Sequence, residues 1–68
     1  MRIRIFEQRR PYNQSSLFYI YNYDGIPYLS KYKRWNVRLT NACMFNSRRH
    51  AIQVLKKKHP ELKNRKIP

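Results

Sequence analysis

Three acidic residues, one glycine and one cysteine are all that this 68-residue chain has of three residue types on which much protein chemistry depends. With Glu7, Asp24 and Glu61 as its only carboxylates, it is short of ligands for a metal-dependent nuclease. The single glycine, Gly25, excludes a Gly-rich phosphate loop. A lone thiol, Cys43, closes no internal disulfide, and together with two scattered histidines it makes a poor metal set. No metal or other cofactor is expected. Long apolar runs are absent too: nothing approaches the ~18 residues that span a bilayer, and Met1-Arg2-Ile3-Arg4-Ile5 has no signal-peptide core. The expected setting is cytoplasmic, with Cys43 reduced.

What is abundant is positive charge. Sixteen Lys and Arg against three acids give a formal net charge of +13. Self-repulsion on this scale works against a compact small domain, so the charge is expected to serve an external partner. A polyanion is the natural counter-surface, because each phosphate neutralised releases condensed counterions. Hydrophobic residues at 41% are too many for a disordered basic tail. A chain of this size still buries only about 60% of its unfolded surface. Bound nucleic acid, a protein partner or a second copy of the chain would supplement so thin a core.

Along the chain, Arg2-Ile3-Arg4-Ile5-Phe6 alternates charged and apolar side chains, the period of a half-exposed strand. Arg9, Arg10 and Pro11 interrupt it, and Asn13-Gln14-Ser15-Ser16 reads as a loop. Two runs of strand formers, Leu17–Tyr23 and Ile26–Tyr32, flank Asp24-Gly25, which fits a type I′ hairpin turn with positive φ at both residues. That register sets Tyr23 opposite Ile26, Tyr21 opposite Tyr28 and Tyr19 opposite Ser30. It also places Pro27 at a non-hydrogen-bonded pair. Trp35, Val37 and Leu39 alternate as a further strand, while Ala42 to Phe45 reads as a helical turn or a strand end. Ser47 is the expected N-cap of a helix from Arg48 to Lys58, stopped by Pro60.

The expected fold is α+β: a small antiparallel sheet of three to four strands (β-ββ-β) with one C-terminal helix packed on one face. Residues 1–60 form the domain, and 61–68 a basic tail, mobile in isolation. The favoured core sets Phe18, Ile20 and Leu29 against Ala51, Ile52 and Leu55 of the helix. The reverse assignment, with Leu17, Ile26 and the tyrosines inward, also makes a core.

If the first assignment holds, Tyr19, Tyr21, Tyr23, Tyr28 and Tyr32 share an exposed face. Aromatic rings on a sheet amid Lys and Arg are how several single-strand binders grip bases, at about 1–3 kcal/mol per stacked base. For any one tyrosine, ordinary strand propensity is explanation enough; five on one face beside this much charge point further. Arg48, Arg49 and His50 in a helix first turn oppose the macrodipole. With the terminal N–H groups they suit a phosphate or another anion. Further basic clusters are Arg9-Arg10, Lys31-Lys33-Arg34, Lys56-Lys57-Lys58 and Lys63-Arg65-Lys66. Each alone is a solvated face; together they make a diffuse polyanion footprint. No helix-turn-helix spacing or zinc-finger pattern supports reading of a DNA major groove.

Catalysis finds little support. His50 and His59 stand at opposite ends of one helix, roughly 13 Å apart at 1.5 Å per residue, and cannot converge on one atom. Cys43 reads as a small core residue. The chain therefore reads as a non-enzymatic binder of RNA or single strands. The alternative is docking on an acidic host protein or ribonucleoprotein, where the same charge would steer association. An anionic membrane would call for a long basic amphipathic helix, which the chain lacks.

From Tyr19 to Lys58 the chain resembles small proteins of tailed phages. In these a strand hairpin is followed by a Trp-containing strand, an A-x-x-F step and a short helix beginning S-x-x-x-A. Trp35, Ala42, Phe45, Ser47 and Ala51 carry the resemblance, over somewhat more than half of the chain. Such proteins commonly have acids in the helix first turn, where this chain has Arg48 and Arg49. The resemblance implies a compact ββα-type accessory protein acting on host machinery in the host cytoplasm. An RNA-binding inhibitor of a host toxin ribonuclease is one form it would take.

Overall fold

β-Branched and aromatic residues alternating with polar ones build a four-stranded antiparallel sheet, in the order β1-β2-β3-β4. In this computed structural model, which describes residues 1–30 and 34–68, the strands are β1 (Ile3–Gln8), β2 (Leu17–Asn22), β3 (Tyr28–Leu29) and β4 (Trp35–Asn36). One helix, α1 (Arg48–Lys58), follows, with 3-10 turns at Leu39–Asn41 and Pro60–Leu62. The protein is a small α+β fold. Lys31, Tyr32 and Lys33, expected in the basic cluster and at the end of the tyrosine face, lie outside the described residues.

The period of two in β1 and β2 decides the core. β1 pairs with β2 from Ile3↔Asn22 through Ile5↔Ile20 to Gln8↔Leu17. Ile3, Ile5, Ile20 and Leu29 therefore point to one side, where Ala51 and Leu55 of α1 meet them. Phe18, Trp35 and Ile52 pack around this cluster. Ile5, Ile20, Leu29 and Leu55 are each less than 2% exposed, and burial of such a side chain is worth about 1.5–3 kcal/mol. The favoured core face is the one observed. Helix α1 starts where the sequence placed it: the Ser47 side chain accepts a hydrogen bond from the His50 N–H at 3.1 Å.

Several expectations fail. Asp24-Gly25 is not a type I′ turn, since neither residue has positive φ. The Asn22 N–H donates to the Pro27 carbonyl at 2.7 Å, closing a four-residue loop and placing Pro27 at a hydrogen-bonded pair that lacks one donor. Asn22 Oδ1 accepts from the Asp24 N–H, while the Asp24 carboxylate accepts from the Arg2 N–H at 2.7 Å. Asp24 thus ties the loop to β1 instead of making a tight turn. The two consecutive positive φ values fall at Tyr12 and Asn13, in the β1–β2 loop. Tyr21 does pair with Tyr28, as expected, but Ser30 bridges to Ala42 rather than lying opposite Tyr19.

The strand at Trp35 is only two residues long. Asn36 Oδ1 accepts from the Arg38 N–H at 3.0 Å and from Asn41 Nδ2, which turns the chain away and leaves Val37 70% exposed. Ala42–Phe45 resolves as extended backbone, with Phe45 bridging Phe18 through two bonds of 2.7 and 2.8 Å. Finally, the segment from Glu61 to Pro68 is no loose tail. Leu62 and Ile67 join the core, and the Pro68 carbonyl accepts from the Ile5 N–H at 2.7 Å on the outer edge of β1.

Candidate nucleic-acid interface

The side chains of β1, β2 and β3 that point away from α1 form a continuous aromatic surface. Phe6 stacks on Tyr19 with centroids 5.6 Å apart and planes at 18°, and meets Tyr21 edge-on at 5.8 Å. Tyr21 touches Tyr23 at 4.9 Å and Tyr28 at 5.3 Å, and Tyr19 lies 6.0 Å from Tyr28. The rings half-bury one another, with Tyr23 the most exposed at 46%. Burial, followed by the neighbouring phenols of Tyr28, Tyr21 and Tyr23, pushes the Tyr19 hydroxyl up from its ordinary value. The Tyr19 hydroxyl therefore keeps its proton at neutral pH and can donate to an anion.

Arginines border this surface from β1 and the residue just before it. The Arg4 guanidinium sits 5.1 Å over the Phe6 ring, and that of Arg2 5.5 Å over Tyr23. Neither arginine, nor Phe6, was among the residues that the sequence marked for binding. Their signal was present in the alternation Arg2-x-Arg4-x-Phe6; what it lacked was the register placing this row beside the tyrosines.

Other marked residues are scattered. Arg9 and Arg10 are exposed in the β1–β2 loop, where Arg10 Nε donates to the Ser15 carbonyl at 2.6 Å. Arg34 is exposed just before β4, while Lys31 and Lys33 lie outside the described residues. Lys56, Lys57 and Lys58 form the last turn of α1, and Lys56 Nζ donates to the Lys63 carbonyl at 3.2 Å. Because α1 packs on the aliphatic face of the sheet, these lysines and the helix start are separated from the tyrosines by the sheet itself.

The helix start differs in detail from its reading in the sequence. Arg48 opposes the helix dipole but has a structural role: its Nη1 donates to the Ile5 carbonyl at 3.2 Å and its guanidinium covers the Phe18 ring at 5.5 Å. The His50 ring meets Phe45 edge-on at 5.2 Å. Arg48, Arg49, Ile52, Gln53 and Lys56 line a shallow depression of about 700 Å³ along α1. His59 is turned away from His50 and shares its Nδ1 with Glu61 Oε1 at 3.0 Å. Cys43 is half-buried, and burial pushes its thiol up.

Among the described residues no group of three His, Cys, Asp or Glu side chains gathers to hold a metal ion, and no helix is long and apolar enough to cross a membrane. No protein-family model, curated protein or solved structure matches the chain.

Proposed function

We propose that this protein binds single-stranded nucleic acid, RNA foremost, without catalysing a reaction on it. The observation that carries the reading is the uncovered aromatic face: Phe6, Tyr19, Tyr21, Tyr23 and Tyr28 in mutual contact, bordered by Arg2 and Arg4. Stacking on such rings needs unpaired bases and tolerates any sequence. Arginine and lysine neutralise the backbone, and the +13 charge draws the strand in. RNA offers such bases in its loops and ends.

The test is fluorescence anisotropy with single-stranded RNA, single-stranded DNA and duplex over a salt series. Log affinity should fall steeply with log salt, and alanine at Tyr19, Tyr21 and Tyr28 should weaken single-strand binding more than duplex binding. Equal losses on both would remove stacking from the mechanism, and a salt slope near zero would remove nucleic acid.

A second reading, docking on an acidic host protein, draws on the depression along α1, where Ile52 lies among Arg48, Arg49 and Lys56. Apolar floor and basic rim suit an acidic partner. A stoichiometric partner that survives nuclease treatment in a pull-down would favour it.

A further inference from the structure

The aromatic row runs up β2 from Tyr19 through Tyr21 to Tyr23, and at its Tyr23 end it meets a separate feature. Arg2, Ile3, Arg4, Tyr23, Arg65 and Pro68 line a cavity of about 360 Å³. Three arginines from the two ends of the chain converge there around an apolar floor. Each is held in place. Arg65 Nη1 donates to the Met1 carbonyl, and the segment carrying it is docked on β1 by the bond from the Ile5 N–H to the Pro68 carbonyl. Arg2 is positioned by Asp24, which accepts from its Nε at 3.3 Å, and Arg4 rests on Phe6.

The charge balance at this cavity favours a strongly negative ligand. Three guanidinium groups and the N-terminal ammonium, 3.9 Å from Asp24 Oδ2, outnumber the carboxylates of Asp24 and of Pro68 at the chain terminus. Asp24 takes the Nε–H of Arg2, one of five donors on that guanidinium. Arginine forks match phosphate oxygens in geometry as well as charge. A phosphomonoester carries about −1.5 to −2 charges at neutral pH, more than the single charge of a phosphodiester. The cavity is within the size of small-ligand sites, roughly 300–1,000 Å³. Tyr23 at its rim offers a ring to the attached sugar and base.

We propose that Arg2, Arg4 and Arg65 beside Tyr23 form a receptor for the terminal phosphate of a single strand whose following bases lie along the tyrosine row. This rests on the single-strand reading of the aromatic face and adds an end preference to it.

The decisive comparison uses oligouridylates of about ten nucleotides, within the span of known single-strand sites. They would carry a 5′-phosphate, a 3′-phosphate or hydroxyls at both ends. One phosphorylated form should bind about tenfold more tightly than the hydroxyl-ended strand, the scale of one charge-assisted contact. Arg65→Gln should abolish that difference and leave hydroxyl-ended binding in place. Equal affinity for all three strands would overturn the receptor while the aromatic face stands. An NMR titration of the wild-type protein with uridine monophosphate reads the cavity without any strand. Shifts at Arg4, Tyr23 and Arg65 support the receptor even if every oligonucleotide fails to bind; shifts elsewhere, or none, refute it.

Discussion

The two faces of one sheet are built by alternate residues of the same strands, yet they solve opposite problems. Ile3, Ile5, Ile20 and Leu29 point inward and are covered by Ala51 and Leu55. Arg4, Phe6, Tyr19, Tyr21, Tyr23 and Tyr28 point outward and pack on one another. The inner face is aliphatic and its worth is burial. On the outer face each tyrosine ring adds contact area and keeps a hydroxyl for water or a ligand. The contrast separates residues that hold the fold from residues available to a partner, and it can be broken by mutation.

The largest expected effect is on the inner side. Leu55→Ala should cost about 2–5 kcal/mol, read from chemical denaturation, because the side chain is fully buried and its cavity cannot fill from solvent. On the outer side Tyr21→Ala should weaken single-strand binding by about 1–3 kcal/mol, with Tyr21→Phe close to wild type. Should Tyr21→Ala lower stability and leave binding unchanged, the aromatic face would be structural, and the distinction between the faces would collapse.

Smaller still is the helix cap. Ser47→Ala should lower stability by about 1 kcal/mol and leave strand affinity unchanged, since the hydroxyl serves the His50 N–H on the helix side of the sheet, away from the tyrosines. The smallest effects sharpen the comparison by pH. Asp24 is held below its ordinary value chiefly by the Arg2 N–H, then by the Arg2 side chain and the N-terminus. A carboxyl depressed in the folded state contributes stability that is present above the unfolded value, about 4, and is lost as pH falls through the folded one. Thermal melts should therefore show an acid loss below about pH 4 that Asp24→Asn flattens. Tyr19 has the opposite sign: its raised phenol holds its proton longer when folded, so stability should decline as pH climbs past about 10. Absorbance near the phenolate band should show one tyrosine titrating late.

Much of the fold was legible because it rests on short-range patterns. The alternation in Arg2–Phe6 and the polar cap at Ser47 each name their element within a few residues. The tight turn at Asp24-Gly25 was misread because the choice lay outside the dipeptide: the Arg2 backbone competes for the Asp24 carboxylate. The same reason hides the role of Arg48, whose partners Ile5 and Phe18 lie 43 and 30 positions away in the chain, 48 − 5 and 48 − 18. Half of the candidate site was visible as a row of tyrosines. Phe6, Arg2 and Arg4 join it only through the β1–β2 register.

By itself the sequence determined the sign of the chain's own charge, the class of the fold, the start and end of α1 and part of the core, Ile20 and Leu29 against Ala51 and Leu55. Those follow from composition, period and capping, which act locally and need no partner. The tertiary structure alone decided that Glu61 to Pro68 closes the edge of β1, that the helix arginines lie across the sheet from the tyrosines, and that Arg2, Arg4 and Arg65 surround one cavity. These are contacts between distant segments, and the chain sets them only when burial of Leu62 and Ile67 brings its two ends together. Scarce acid and plentiful arginine leave the chain strongly positive; the packing of the two termini gathers three of those arginines at one place.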